Sequence, residues 1–182
     1  MFFSKRKRYV RNESKFFYWM ITAFVLSLGM LAGFFAFEFG DGSFWNQTKE
    51  NENIFTYSFV KNCIFATFLF INAFSFAGFP ITLMLVFFAG YIQAVSVFYI
   101  FASKMSFSFG SLLRIIPHSA LSLYMVMFLS VGVMHYSKKM FCSFVTGRGR
   151  FMMGKDTFNL FLSYAFAIFL STIIALYESN FI

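Results

Sequence analysis

Charged residues are scarce in this chain. They make up 12% of its 182 residues, whereas 59% of the residues are hydrophobic, and a soluble domain of this size would carry about twice that share of charge. Acidic residues are the scarcest, with seven Asp and Glu against fifteen Lys and Arg, for a formal net charge of +8. Because the basic residues flank apolar runs instead of lining one polar face, the charge indicates membrane orientation and not a nucleic-acid partner.

Cysteine and the common catalytic motifs are also rare or missing. Cys63 and Cys142 are the two cysteines, and no CxxC or Cys/His cluster accompanies them, which argues against a disulfide or a metal centre. The sequence contains no HExxH, GxSxG or phosphate-binding glycine loop, so ATP-driven work would require another chain. We therefore predict no catalytic, metal or cofactor site.

Five long apolar runs occupy most of the chain. They cover about 16–37, 55–76, 81–103, 112–136 and 158–177, and about 20 apolar residues cross a hydrocarbon core when helical. The first run offers no small-residue cleavage site, which favours an uncleaved anchor over a secretory signal. We predict an all-α, polytopic transmembrane bundle of about five spans, with a basic cytoplasmic segment at 1–15 and the transmembrane domain at 16–182.

The distribution of charge supports one orientation. With five spans and a cytoplasmic N-terminus, the inner segments 1–15 and 137–157 hold eleven of the fifteen Lys and Arg residues. The outer segments hold five of the seven acidic residues. This pattern satisfies the positive-inside rule and predicts an extracytoplasmic C-terminus in a bacterial cytoplasmic membrane.

The start of the fourth run carries the most polar stretch at membrane depth. Arg114, His118 and Ser122 recur every fourth residue and would form one stripe on a helix, with Pro117 and Ser119 between them. Such groups usually face protein or a wet cavity. A structural hydrogen bond is the commoner role for a lone His, and catalysis by His118 with the nearby hydroxyls is the alternative. Residues 104–117 could be a plain loop or a re-entrant element.

Small and polar residues elsewhere predict helix contacts. Gly29 and Gly33 form a GxxxG pair, and Gly90 lies among alanines, so both sites would allow close helix approach. Lys61 and Asn62 lie near the outer end of the second run. Lys61 would either extend to the interface or point inward and bond a neighbouring helix.

Four features, in order and spacing, resemble the stage II sporulation protein M family of polytopic membrane proteins. They are Asn62, Gly90, the pair Pro117-His118, and Gly132. The chain departs from the family pattern at Ser119, where the family has Gly, and at Ser122, where it has Glu. Loss of that Glu removes the expected ionic partner of His118 or Arg114. The resemblance implies a noncatalytic integral membrane protein that holds an envelope complex together.

Two functions follow as expectations. The first is a scaffold or accessory subunit that contacts the lipid bilayer and other membrane proteins, such as further copies of itself or a complex with cell-wall hydrolases. The second, suggested by relatives of the family near bacteriocin genes, is a membrane subunit for export of, or immunity to, a circular bacteriocin-type peptide, working with an ABC transporter.

Overall fold

The computed structural model describes residues 2–39, 54–103, 109–145 and 153–181. These residues form five helices and no strand: α1 (Phe2–Phe39), α2 (Ile54–Asn72), α3 (Gly78–Ser103), α4 (Phe109–Val145) and α5 (Met153–Phe181). Helices satisfy every backbone hydrogen bond within one segment, which long apolar runs in lipid require. The predicted all-α bundle is confirmed.

The helices extend beyond several of the predicted runs. The basic residues before the first run belong to α1, and α4 continues past the predicted end at 136 as far as Val145. Within the predicted connection 104–117, residues 109–117 are helical and continuous with α4, so they are not a plain loop and Pro117 lies inside the helix. Residues 104–108 lie outside the described residues. Hydropathy marks where lipid-compatible residues stop, whereas the hydrogen-bonded helix continues into polar sequence.

Four helices are long and apolar enough to cross a membrane, over Lys15–Glu38, Gly78–Phe98, Ile116–Val145 and Gly154–Asn180. In α2 the described apolar part is the shorter Ser58–Asn72. Many large apolar side chains on these helices are exposed, including Phe24, Phe68 and Phe169. A soluble monomer rarely exposes so much apolar surface, and the protein is therefore a helical membrane protein. A fifth span through α2 stays a prediction.

Contacts between helices define two ends of the bundle. α1 runs parallel to α3, since Tyr18 contacts Phe79 and Phe37 contacts Phe98. α2 and α4 also run parallel, whereas the remaining packed neighbours run antiparallel, as α4 and α5 do from His118–Glu178 at one end to Lys139–Asp156 at the other. We call the end with Lys15, Lys139 and Asp156 the basic end and the end with His118 and Glu178 the far end.

α1 and α3 approach each other through glycine. A Cβ added at Gly29 would collide with the carbonyl oxygen of Phe87, and one at Gly90 would lie 2.5 Å from the carbonyl oxygen of Leu26. At Gly33 the added Cβ would lie 2.5 Å from the carbonyl oxygen of Tyr91. The two predicted small-residue sites therefore meet each other within one chain.

A tight turn at residues 73–77 joins α2 to α3 at the basic end. Its backbone closes through Ala73 N–H to Phe70 O and Ser75 N–H to Asn72 O, each 3.1 Å. The hydroxyl of Ser137 on α4 donates to the Ser75 carbonyl at 3.0 Å. The turn thus ends before Gly78, and Pro80 occupies the first turn of α3, where its missing N–H costs nothing.

Candidate functional site

An open groove of about 450 Å³ lies between α2, α3 and α4 and reaches α5 at the far end. Its polar lining residues lie toward the far end of the bundle, in the part that we call the mouth. Most of its apolar lining residues lie nearer the middle of the helices. The polar lining residues are Ser58, Lys61, Asn62, Gln93, His118, Ser122 and Glu178. The apolar ones are Ile64, Phe65, Phe68, Leu85, Ala89, Ile92, Met125 and Val126. We call this cavity the far-end groove.

His118 of α4 and Glu178 of α5 contact each other at the mouth of the groove. His118 Nε2 lies 2.6 Å from Glu178 Oε1, and the two side chains are 17% and 21% exposed. Ser58 of α2 hydrogen-bonds to Glu178, and Lys61 brings a positive charge close to the same carboxylate. One carboxylate therefore links α2, α4 and α5, which sequence places far apart.

A second polar contact joins α3 to α4 beside that pair. The Gln93 side-chain amide donates to Ser119 Oγ at 2.9 Å. Interhelical hydrogen bonds of this kind satisfy polar groups that lipid cannot solvate. Gln93 therefore has a structural hydrogen bond to the neighbouring helix.

We expect Ser119→Ala to lower the free energy of unfolding by about 0.6 kcal/mol, because Gln93 loses its acceptor. Ser96→Ala is the matched control, since Ser96 is half-buried like Ser119 and its hydroxyl donates to the Ile92 carbonyl of its own helix. Reversible unfolding in mixed micelles measures both variants. Equal stabilities for the two would show that the Gln93 contact contributes nothing.

The polar contacts described in the groove do not pair the His118 imidazole with Ser58 or Ser119. His118 Nε2 is engaged by Glu178, Ser58 also bonds that carboxylate, and Ser119 accepts from Gln93. A nucleophilic serine would instead share its proton with a ring nitrogen of the His. Among the described residues, no group of three or more His, Cys, Asp or Glu could hold a metal ion.

Comparisons with protein-family models, with curated proteins and with solved structures find no match for this chain. The resemblance to the stage II sporulation protein M family therefore stays a prediction that depends on the four sequence features alone.

The structure brings some of the predicted site residues together and separates others. Lys61, Asn62, His118 and Ser122 all line the far-end groove. The Lys61 side chain is exposed, so both alternatives for it stay predictions. Pro117 and Ser119 adjoin them on α4. Arg114 belongs to the same helix, but its side chain lies outside the described part of the chain.

The glycines predicted as partner contacts lie elsewhere. Gly29, Gly33 and Gly90 pack α1 against α3 and do not line the groove. Gly132 faces α5, where an added Cβ would meet Ser163 Oγ at 3.8 Å. Of the four features that resemble the family, Asn62 therefore lies in the groove with His118, whereas Gly90 and Gly132 lie elsewhere.

His118 has a carboxylate partner that the sequence resemblance does not predict. The carboxylate absent at Ser122 is supplied by Glu178, from the last turns of α5. Glu178 closes the fifth apolar run and looks like an ordinary membrane-end residue in the sequence. The only available signal was that a five-helix, up-and-down order places the end of α5 beside the start of α4.

Proposed function

We propose that this protein is a noncatalytic multipass protein of a bacterial cytoplasmic membrane, acting as an accessory subunit of a cell-envelope complex. In this proposal the far-end groove receives an apolar segment of a membrane partner. The N-terminus lies in the cytoplasm, the basic end faces inward, and the groove opens in the outer half of the bilayer. The charge distribution supports this orientation.

The observation that carries the proposal is the polar mouth above an apolar groove. Asn62 and Gln93 offer amide groups at the mouth, next to the His118–Glu178 pair. Phe68 and Ile92 remain 61% and 40% exposed on the groove walls. An apolar helix with one polar residue would fill the walls and hydrogen-bond at the mouth, and such a bond contributes about 1–2 kcal/mol in model peptides.

Site-specific photocrosslinking in intact cells tests this assignment. We expect a photoreactive phenylalanine analogue at Phe68 to give one discrete protein adduct, identified by mass spectrometry. Position Phe169 is the matched control, because both are phenylalanines about equally exposed, at 61% and 60%, and only Phe68 lines the groove. The adduct should weaken in an Asn62→Leu background, since a hydrogen-bonding group at the mouth is lost.

Two results would count against the accessory role. The first is the same adducts at Phe68 and Phe169, which would indicate random encounters in the bilayer. The second is an adduct at Phe68 that is unaffected by Asn62→Leu, which would separate the captured protein from the polar mouth.

A second candidate function is export of, or immunity to, a cationic apolar peptide together with an ABC transporter. The observation in its favour is that a groove of about 450 Å³ lies within the usual range for ligand pockets of about 300–1,000 Å³ and has the Glu178 carboxylate at its mouth. We expect expressed protein to protect sensitive cells from a circular bacteriocin. Ser122→Leu, which narrows the groove, should abolish that protection; equal protection by the variant would eliminate this candidate.

A further inference from the structure

A second cavity, of about 220 Å³, lies at the basic end between α1, α4 and α5. It is separate from the far-end groove and shares no lining residue with it. α1 and α5 both pack on α4, so α4 forms the floor and the other two helices form the sides. We call this cavity the basic cleft.

The charged residues of the basic cleft lie at one end of it. Lys15, Lys139 and Asp156 lie toward the basic end, and Phe128 and Gly132 lie deeper, together with the polar Ser163. Gly132 has no side chain, which leaves space on the α4 side of the cleft. A Cβ added at Gly132 would lie 3.8 Å from Ser163 Oγ on α5. The shape suits a ligand with a polar head and an apolar tail.

The charge of the cleft favours an anionic head. Lys139 Nζ contacts Asp156 Oδ2 at 2.7 Å, so these two charges offset each other, and Lys15 on the opposite side leaves the three charged groups with a net charge of +1. Lys138 lies near the same end, with its Nζ 5.7 Å from the centre of the Tyr18 ring. Trp19, beside Lys15 on the cleft wall, is a residue type that prefers the headgroup level of a bilayer.

We propose that the basic cleft binds one anionic phospholipid, with its phosphate at Lys15 and Lys139 and the start of one acyl chain over Gly132. Basic pockets between transmembrane helices are a recurring form of lipid headgroup site. This inference is independent of the far-end groove and of the accessory role proposed for it. It requires only that the protein lies in a membrane.

Native mass spectrometry of the full-length protein in mild detergent tests the proposal, with phosphatidylglycerol and phosphatidylcholine as probes. A cation near the headgroup strengthens binding of an anionic lipid about fivefold. We expect Lys15→Gln to weaken phosphatidylglycerol binding by about that factor and to leave phosphatidylcholine binding unchanged. Lys155→Gln is the matched control: it removes the same charge from the same end, at an exposed residue that does not line the cleft.

Gly132→Leu tests the tail position separately, because it fills the cleft without changing charge. We expect it to weaken binding of phosphatidylglycerol, and a circular-dichroism melt verifies that the variant is folded. Lys15 is exposed, so Lys15→Gln stays informative even if the Gly132 variant unfolds. If Lys15→Gln and Lys155→Gln weaken phosphatidylglycerol binding equally, the lipid is held by nonspecific electrostatic attraction to this end of the protein, and the proposal is overturned. Displacement of the lipid by glycerol phosphate at equal concentration would also overturn it, because the acyl chain would then contribute nothing.

Discussion

Replacing His118 with Leu should lower the free energy of unfolding by about 3 kcal/mol. The substitution leaves the Glu178 carboxylate without its hydrogen-bond partner His118 in a site where both side chains are about four-fifths buried. Removing one member of a buried ion pair typically costs about 3–5 kcal/mol. We expect the lower value because the Ser58 hydroxyl still hydrogen-bonds to the carboxylate and the positive charge of Lys61 remains close to it. Equilibrium unfolding in mixed micelles, followed by circular dichroism, measures the change.

The chain contains a matched comparison for this experiment. Lys139 and Asp156 also join α4 to α5 at 2.7 Å, but their side chains are 40% and 38% exposed. Exposed pairs contribute about 0–1 kcal/mol, so Asp156→Asn should change stability by no more than that.

The double variant His118→Leu/Glu178→Leu should recover most of the lost stability, because apolar residues can replace a buried pair at little cost. If the double variant is as unstable as the sum of the two single variants, the two side chains are not coupled and the site at the mouth of the groove is wrongly assigned.

The helical architecture was predictable because it depends on local properties of the sequence. Four of the apolar helices are long enough to span a bilayer, and lipid leaves a helix as the only way for such a run to satisfy its backbone. Helix ends were harder to place. α4 continues past Tyr136 into a polar, basic segment as far as Val145, where hydropathy no longer distinguishes helix from loop.

The contents of the polar site were predictable only in part. His118, Ser122, Asn62 and Lys61 stand out because each is polar within an apolar run. Glu178 and Ser58 do not, since each lies at the end of a run, where polar residues are ordinary. Their role arises from the antiparallel packing of α2 and α4 on α5, which no local pattern encodes. The same reasoning explains the glycines: GxxxG indicates a close contact but does not identify the partner helix.

Substituting Gly29 with Ala should destabilise the protein by about 3 kcal/mol or more, although Ala is normally the better helix residue. The added Cβ would overlap the Phe87 carbonyl oxygen and lie close to the Phe87 Cα as well. These are backbone atoms of a helix, so no side-chain rotation relieves the collision, and α1 must move away from α3. Overpacking a well-packed contact costs about 1–3 kcal/mol and occasionally more, and loss of the α1–α3 contact adds to that.

Gly132→Ala is the control that separates collision from helix propensity. Its Cβ would meet nothing closer than 3.8 Å, so the variant should be neutral or up to about 1 kcal/mol more stable through the higher helix propensity of Ala. The two variants make the same chemical change and should move stability in opposite directions. If Gly29→Ala is also neutral, α1 does not lie on Gly90 and Phe87, and the parallel pairing of α1 with α3 is incorrect. If both variants are strongly destabilised, α4 and α5 pack more closely at Gly132 than this arrangement has them.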